Sequence, residues 1–208
     1  MKVSAEKVRR QAGFVRETAR RIAREPSLGR ELPRLLATGG RSTIRLRLPW
    51  LPFRVIDELE GVVGPGTRVF EYGGGGSTLW FLDRGAVVVT VEHQSKWAAV
   101  LEGSIASDNW TMLVRSLAEG YAHYANAILA YPDDWFDVVV VDGRARPRCV
   151  ARSLSKVKPG GRLLVDDVNR QRYADAVREV NWPRRDVIGF APAKVSLGHT
   201  AVLTRPRA

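Results

Sequence analysis

The residues with chemistry to offer fall in three short runs. The first is Val69-Phe70-Glu71-Tyr72-Gly73-Gly74-Gly75-Gly76-Ser77-Thr78, where an apolar stretch carrying a carboxylate runs into consecutive glycines and two hydroxyls. The second is Glu92-His93, and the third is the set Asp142, Asp166 and Asp167, each just after an apolar run. Glycine lets a backbone turn sharply and approach a ligand closely. Four in a row cost more chain entropy than a turn requires, so the run reads as a cradle. A dinucleotide G-x-G-x-x-G would need its third glycine at position 78, where Thr78 stands, which weakens a pyrophosphate reading. Glu92 suits a ribose diol, because one carboxylate accepts from both hydroxyls. No Ser-His-acid or Cys-His pairing is evident. The single cysteine, Cys149, excludes an internal disulfide framework and a multi-cysteine zinc site, and its helical setting reads as buried.

These residues need elements to position them. From residue 67 the pattern alternates strand and helix. Strands are expected over 67–72, 86–91, 110–114, 137–141, 162–165, 186–191 and 200–204. Helices are expected over 77–84, 94–104, 147–157 and 173–180, with 158–161 as a turn. Near-continuous apolar strands separated by helices imply a parallel sheet covered on both faces. No helix-length segment separates the last two strands, so they should pair antiparallel. The glycine run follows the first strand and opens a helix, which is where a doubly wound sheet binds a nucleotide-like ligand. Asp142, Asp166 and Asp167 follow neighbouring strands and should converge on the same crevice. A short helix is expected over 55–62, after the rigid apolar entry Pro49-Trp50-Leu51-Pro52-Phe53. Trp80, Trp97, Trp110, Trp135 and Trp182 read as core or rim packing.

On these residues the chain resembles the class I S-adenosylmethionine-dependent methyltransferases over roughly residues 50–208. The resemblance rests on Glu71-Tyr72-Gly73-Gly74-Gly75-Gly76-Ser77, Glu92, Asp137-Val138-Val139-Val140-Val141-Asp142, Pro159-Gly160-Gly161 and the closing antiparallel strand. The family loop is written acid-x-Gly-x-Gly-x-Gly; Gly73 and Gly75 match, and Ser77 replaces the third glycine. It implies an α/β fold: a Rossmann-like, doubly wound seven-stranded sheet with a C-terminal antiparallel strand, plus an N-terminal helical extension. It also implies S-adenosyl-L-methionine as cofactor. Glu71 would lie near its amino group, with Tyr72, Gly73, Gly74, Gly75, Ser77 and Thr78 forming the loop around it. Glu92 would grip the ribose and His93 border the adenine.

The acids at 142, 166 and 167 further resemble those of metal-dependent O-methyltransferases, among them sugar O-methyltransferases with Asp-Asp at the fifth strand. Three hard oxygen ligands with water would suit Mg²⁺. The ion would acidify an acceptor hydroxyl, with Asp142 as metal ligand or base. The alternative is that Asp142 meets the ligand while Asp166 and Asp167 cap the next helix or stay solvated. Amino-methylating nucleic-acid enzymes usually carry Asn/Asp-Pro-Pro-aromatic after the fourth strand. Here the run is Asp142-Gly143-Arg144-Ala145-Arg146-Pro147, which argues against adenine or cytosine amino groups. Arg144, Arg146 and Arg148 either hold an anionic group of the acceptor or form a solvated helix start.

Charge divides the chain. Of 208 residues with net charge +11, residues 1–47 hold 13 Lys/Arg against 4 Asp/Glu, so most of the excess lies there. Val8, Ala12, Val15, Ala19 and Ile22 trace one stripe of a helix over 4–24, with Ser4 as N-cap, and Pro26 ends it. This gives a basic helical extension or lid over 1–48 and a donor-binding domain over 49–208. The stripe should bury against the cleft. The expected activity is methyl transfer to a small hydroxylated acceptor, a sugar or a phenol. Nucleic acid docked on the basic arm is a rival reading, and so is a non-catalytic interaction module. No apolar run is long enough to span a bilayer and the N-terminus lacks a signal-peptide core, so a cytoplasmic location is expected.

Overall fold

The structure is a computed structural model and describes residues 5–194 and 196–207; the side chains of 5–12, 14 and 119 are outside that description. Ser4 lies outside the described residues, as do the side chains of Val8 and Ala12.

The chain opens with α1 (Ala5–Arg24), a 3-10 segment (Pro26–Glu31), α2 (Leu32–Thr38), α3 (Thr43–Leu46) and α4 (Phe53–Glu60). Then follow β1 (Arg68–Tyr72), α5 (Gly76–Leu82), β2 (Val87–Glu92), α6 (Ser95–Glu102), β3 (Trp110–Val114), α7 (Ala122–Asn126) and β4 (Phe136–Val141). The last elements are α8 (Arg146–Ser153), β5 (Val157–Val165), α9 (Gln171–Arg178), β6 (Arg184–Gly189) and β7 (Gly198–Thr204). The strands form one seven-stranded sheet in the order β3-β2-β1-β4-β5-β7-β6. β7 runs antiparallel to both β5 and β6, and the other pairings are parallel. Strand order reverses between β1 and β4, which opens a crevice beyond their carboxyl ends.

The valine run of β4 shows why the sheet is buried twice. Successive side chains point to opposite faces. Val139 and Val141 join Phe70, Tyr72, Tyr124, Phe136, Cys149 and Leu163 in one apolar cluster. Val138 and Val140 join Leu28, Phe53, Ile56, Trp80, Phe81 and Phe190 in the other. Burial pushes the Cys149 thiol well above its ordinary range, so it is a packing residue.

Two expectations are corrected. The turn at 158–161 lies inside β5 as an irregularity: Phe136 pairs with Val157 and Val138 with Arg162. The local turn signals are real, but pairing resumes on both sides. The helix expected over 147–157 stops at Ser153, because the chain must reverse before β5. The basic stretch after α1 carries a 3-10 turn, α2 and α3. Ser42 caps α3 by accepting the Arg45 N–H at 3.3 Å.

The N-terminal segment is stitched to the body from residue 25 onward. Phe53 N–H donates to Phe190 O at 2.7 Å, and Ala193 N–H donates to Thr38 Oγ1 at 3.2 Å. Arg54 reaches Glu31 at 2.7 Å and also pairs with Glu25. The stripe of α1 is not covered as expected: Val15 is 64% exposed, Ala19 is exposed, and Ile22 packs on the second cluster. No helix among the described residues is long and apolar enough to cross a membrane.

Candidate functional site

The site is built where β1 ends. Gly73 takes φ +91, a conformation that L side chains rarely adopt, and a Cβ there would lie 3.0 Å from Gly143 Cα. Its N–H donates to Val91 O at 2.9 Å, carrying the β1–β2 ladder one residue past the strand. A Cβ on Gly74 would sit 2.5 Å from Thr90 Cγ2, whereas nothing lies within 4 Å of a Cβ position on Gly75. Gly73 and Gly74 are thus demanded by close packing, as is Gly76, whose Cβ would run into both Leu48 O and Thr43 O, while Gly75 faces open space. Trp97 Nε1–H pins the loop by donating to Gly74 O at 2.9 Å, and Gly75 N–H donates to Thr78 Oγ1 at 3.1 Å.

Beneath the loop lies Glu71, fully buried. Trp110 Nε1–H donates to Thr90 Oγ1 at 3.1 Å, and Thr90 Oγ1 donates to Glu71 Oε2 at 3.3 Å. Oε1 has no hydrogen-bond partner of good geometry. Burial pushes the Glu71 carboxyl up to about 7, against the pull of the Ser77, Thr78 and Thr90 hydroxyls. A buried carboxylate with a spare acceptor and no cation is costly in an empty protein. At the end of β2, Glu92 is buried and its Oε1 accepts from the N–H groups of His93, at 2.7 Å, and Gln94, at 2.9 Å. Its other oxygen has no hydrogen-bond partner among the described residues.

Two cavities flank the loop. One, of about 290 Å³, is lined by Gly73, Gly74, Glu92, His93, Asp142 and Arg146 among others. The second, of about 280 Å³, lies between the glycines, Ser77, Trp97 and Asp142 on one side and Thr43 and Trp50 of the N-terminal segment on the other. They share Gly73, Gly74 and Asp142. The structure therefore brings Gly73, Gly74, Gly75, Ser77, Glu92, His93 and Asp142 to the cleft. Glu71, Tyr72 and Thr78 lie behind it; the Tyr72 hydroxyl faces away and donates to Ala125 O at 2.7 Å. Sequence reasoning missed Thr43, Trp50 and Lys194. Only Trp50 carried a signal, in the aromatic flanked by Pro49 and Pro52.

The acids after β4 and β5 do converge, but around side-chain cations. Arg146, 7% exposed, places Nη2 2.9 Å from Asp142 Oδ1 and 3.3 Å from Asp167 Oδ2. Lys194 Nζ lies 3.7 Å from Asp166 Oδ2 and 3.6 Å from Asp167 Oδ1, and Thr200 Oγ1 donates to Asp166 Oδ1 at 2.6 Å. Withdrawal from water, then the charge of Asp166, raises the Asp142 carboxyl above its usual range, while Arg146 pulls it down. Every one of the three carboxylates already meets a cation of the chain. As arranged, the expected Mg²⁺ set of Asp142, Asp166 and Asp167 does not fit a divalent ion, because a side-chain cation stands against each acid. No group of three or more His, Cys, Asp or Glu among the described residues is placed to hold a metal.

For S-adenosylmethionine the donor set does fit. The open face of Gly75 and the spare oxygen of Glu92 offer what a methionine chain and a ribose require.

No family model and no curated protein matches the chain. Solved structures do. An rRNA methylase of Streptococcus thermophilus aligns at TM-score 0.54 and 12% identity, over 74% of this chain and 95% of that one. A precorrin 8w decarboxylase of Methanobacterium thermoautotrophicum aligns at 0.53 and 17%, over 73% and 88%. A SAM-dependent O-methyltransferase of Thermotoga maritima aligns at 0.51 and 15%, over 74% and 64%. At these identities the likeness is one of fold: the chain has the seven-stranded, Rossmann-like architecture of the class I methyltransferases.

Proposed function

We propose that the protein is an S-adenosylmethionine-dependent methyltransferase acting on a hydroxyl of a small acceptor. One observation carries the reading: an open glycine loop divides two cavities that meet at Asp142, with a carboxylate at the neighbouring strand end. When bound, the cofactor supplies a methyl group on a sulfonium. Glu92, with one oxygen fixed by backbone N–H groups, accepts from the ribose hydroxyls with the other. Glu71, buried behind the glycine loop, supports the cradle from below rather than touching the cofactor. Asp142 borders both cavities, and Arg146 holds only its Oδ1. In this reading its second oxygen accepts the acceptor's hydroxyl proton. Thr43 and Trp50 wall the acceptor side, so the part of the N-terminal segment after α1, rather than α1 itself, borders the cleft. Most of the rate then comes from holding two reactants in line.

Isothermal calorimetry with S-adenosylhomocysteine tests this. One site per chain with micromolar affinity is expected; no heat and no thermal shift at millimolar ligand overturns the reading. A nucleic-acid acceptor is favoured by one feature, the exposed arginines Arg16, Arg20, Arg24, Arg41 and Arg45. It predicts RNA binding that weakens steeply with salt.

A further inference from the structure

We infer that Arg146 and Lys194 take the place of a divalent cation: two side-chain cations built into the fold hold the acids at the ends of β4 and β5. The consequence for methyl transfer rests on the function proposed above; the charge assignment itself does not.

Arg146 uses every nitrogen of its guanidinium on the crevice. Nε donates to Gly143 O at 3.1 Å, Nη1 to Asp166 O, and Nη2 to Asp142 O at 2.8 Å and Asp142 Oδ1 at 2.9 Å. One planar, permanently charged fork thus clamps the ends of two neighbouring strands and fixes which oxygen of Asp142 faces the cleft. A metal ion binding two strand-end carboxylates would perform the same clamping. Lys194 completes the set from the loop between β6 and β7. Its Nζ bridges Asp166 and Asp167, and it stands 5.6 Å from the Trp50 ring that walls the second cavity. Arg170 adds a third cation, 3.4 Å from Asp167 Oδ2.

The backbone is bent to aim these groups. Ala145, Asp167 and Ala193 take φ of +52, +56 and +56. They are the residue before Arg146, one of the acids, and the residue before Lys194. Left-handed backbone is costly for residues other than glycine, and such strain gathers where surroundings impose it. Three of the six non-glycine residues with positive φ among the described residues stand here, where a cation or an acid is turned into the crevice.

Charge gives the reason a metal is not needed. Asp142, Asp166 and Asp167 face Arg146, Lys194 and Arg170, so the cluster is close to neutral. A hard divalent ion binds where oxygen ligands carry uncompensated negative charge. To enter, it would have to displace Arg146 from Asp142. In the proposed reaction Arg146 is a positioning residue: it orients Asp142, which touches the acceptor.

Titration of the intact protein with Mn²⁺, followed by the paramagnetic resonance of the free ion, tests the inference without any acceptor. The wild type should hold no Mn²⁺ tighter than about 1 mM, with or without S-adenosylhomocysteine. Lys194→Met frees oxygens of Asp166 and Asp167 and should bind Mn²⁺ at least about tenfold tighter. Arg146→Met should gain more where it folds; Lys194 lies on a loop, so its variant keeps the test alive if Arg146→Met does not fold. One Mn²⁺ bound to the wild type at micromolar concentration overturns the inference, and so does a folded Lys194→Met with unchanged Mn²⁺ affinity. Calorimetry with S-adenosylhomocysteine on the same samples reports separately on the donor site.

Discussion

The two halves of the crevice occupy equivalent places in the sheet and are furnished in opposite ways. Beyond β1 and β2 the chain withdraws its side chains. It presents glycine backbone and, among the described residues, leaves one oxygen of Glu92 unused and buries Glu71 with no ion-pair partner. Beyond β4 and β5 it crowds the same edge with three acids and fills the gaps between them with Arg146 and Lys194. The first half is unfinished without a ligand. The second is electrostatically complete without one. In the proposed reaction the first half is the cradle for the donor, and the second is a fixed charge array that positions a single reacting oxygen. The difference predicts that substitutions in the first half act on ligand binding, while those in the second act mainly on order within the protein.

The largest effect should come from Glu92→Ala. A hydrogen bond to a charged group contributes about 1.5–3 kcal/mol. Losing two of them should weaken S-adenosylhomocysteine by roughly a hundredfold or more, measured by calorimetry. Undiminished affinity in a folded variant would remove the ribose role and erase the contrast between the halves.

Glu71 gives the contrast a pH dependence. Its carboxyl sits at about 7 in the fold against an ordinary 4.5. Below 4.5 both states are protonated and burial of the group costs nothing through titration. As pH rises toward 7 the unfolded chain ionises while the folded protein keeps its proton, so stability falls across that window and then levels. The full penalty is on the order of 3 kcal/mol. Glu71→Gln should therefore raise the apo protein's Tm at pH 8, with the gain vanishing near pH 4.5. Denaturation of both forms across this range is the check. A Tm difference independent of pH would show that Glu71 is not held protonated by burial.

How much of this was legible in the sequence follows the range of each signal. A glycine run after an apolar strand is local, and so is an acid ending one; both were read correctly in place. Lys194 reaches Asp166 and Asp167 from a loop beyond β6, and no spacing rule connects them. Arg146 was legible as a cation near the crevice, but its inward aim depends on the φ of +52 at Ala145, a residue with no preference for that conformation. The acids alone therefore read as a metal set. At 158–161 the turn residues were visible, while the strand pairing that absorbs them into β5 is a long-range fact. The stripe of α1 shows the converse. Its 3.6-residue periodicity indicates a helix, yet periodicity cannot say whether a partner covers it, and Val15 is exposed.

Gly74→Ala probes the cradle with a single methyl. The added Cβ meets Thr90 Cγ2 at 2.5 Å and Leu101 Cδ1 at 2.9 Å, both ends of buried side chains. Overpacking of this kind costs about 1–3 kcal/mol, and relief requires the loop to shift. Since Trp97 holds Gly74 O, the shift should propagate to the indole and change its fluorescence, alongside a lower Tm and weaker donor binding. Gly75→Ala is the control, because nothing lies near its Cβ position. It should leave Tm almost unchanged and lower only donor affinity. Equal Tm losses at both positions would mean that packing, not ligand access, dictates the whole glycine run.

The smallest effect should come from Asp166→Asn, on the completed side. Asp166 is buried, and burial raises its carboxyl above the usual range, so its charge is held at a cost. An amide keeps the oxygen that accepts from Thr200, and Lys194 retains Asp167 at 3.6 Å. What is lost is the charge contact between Asp166 and Lys194 at 3.7 Å, partly offset by the lower cost of burying a neutral group. Removing one partner from a satisfied network this way should cost about 1 kcal/mol of stability. Asp166 lines neither cavity, so S-adenosylhomocysteine affinity should stay within about twofold. Chemical denaturation and calorimetry on one preparation separate the two quantities. A tenfold loss of donor affinity with the fold intact would mean that the halves are coupled through Arg146, whose Nη1 donates to Asp166 O, and that the acid cluster helps to shape the donor pocket.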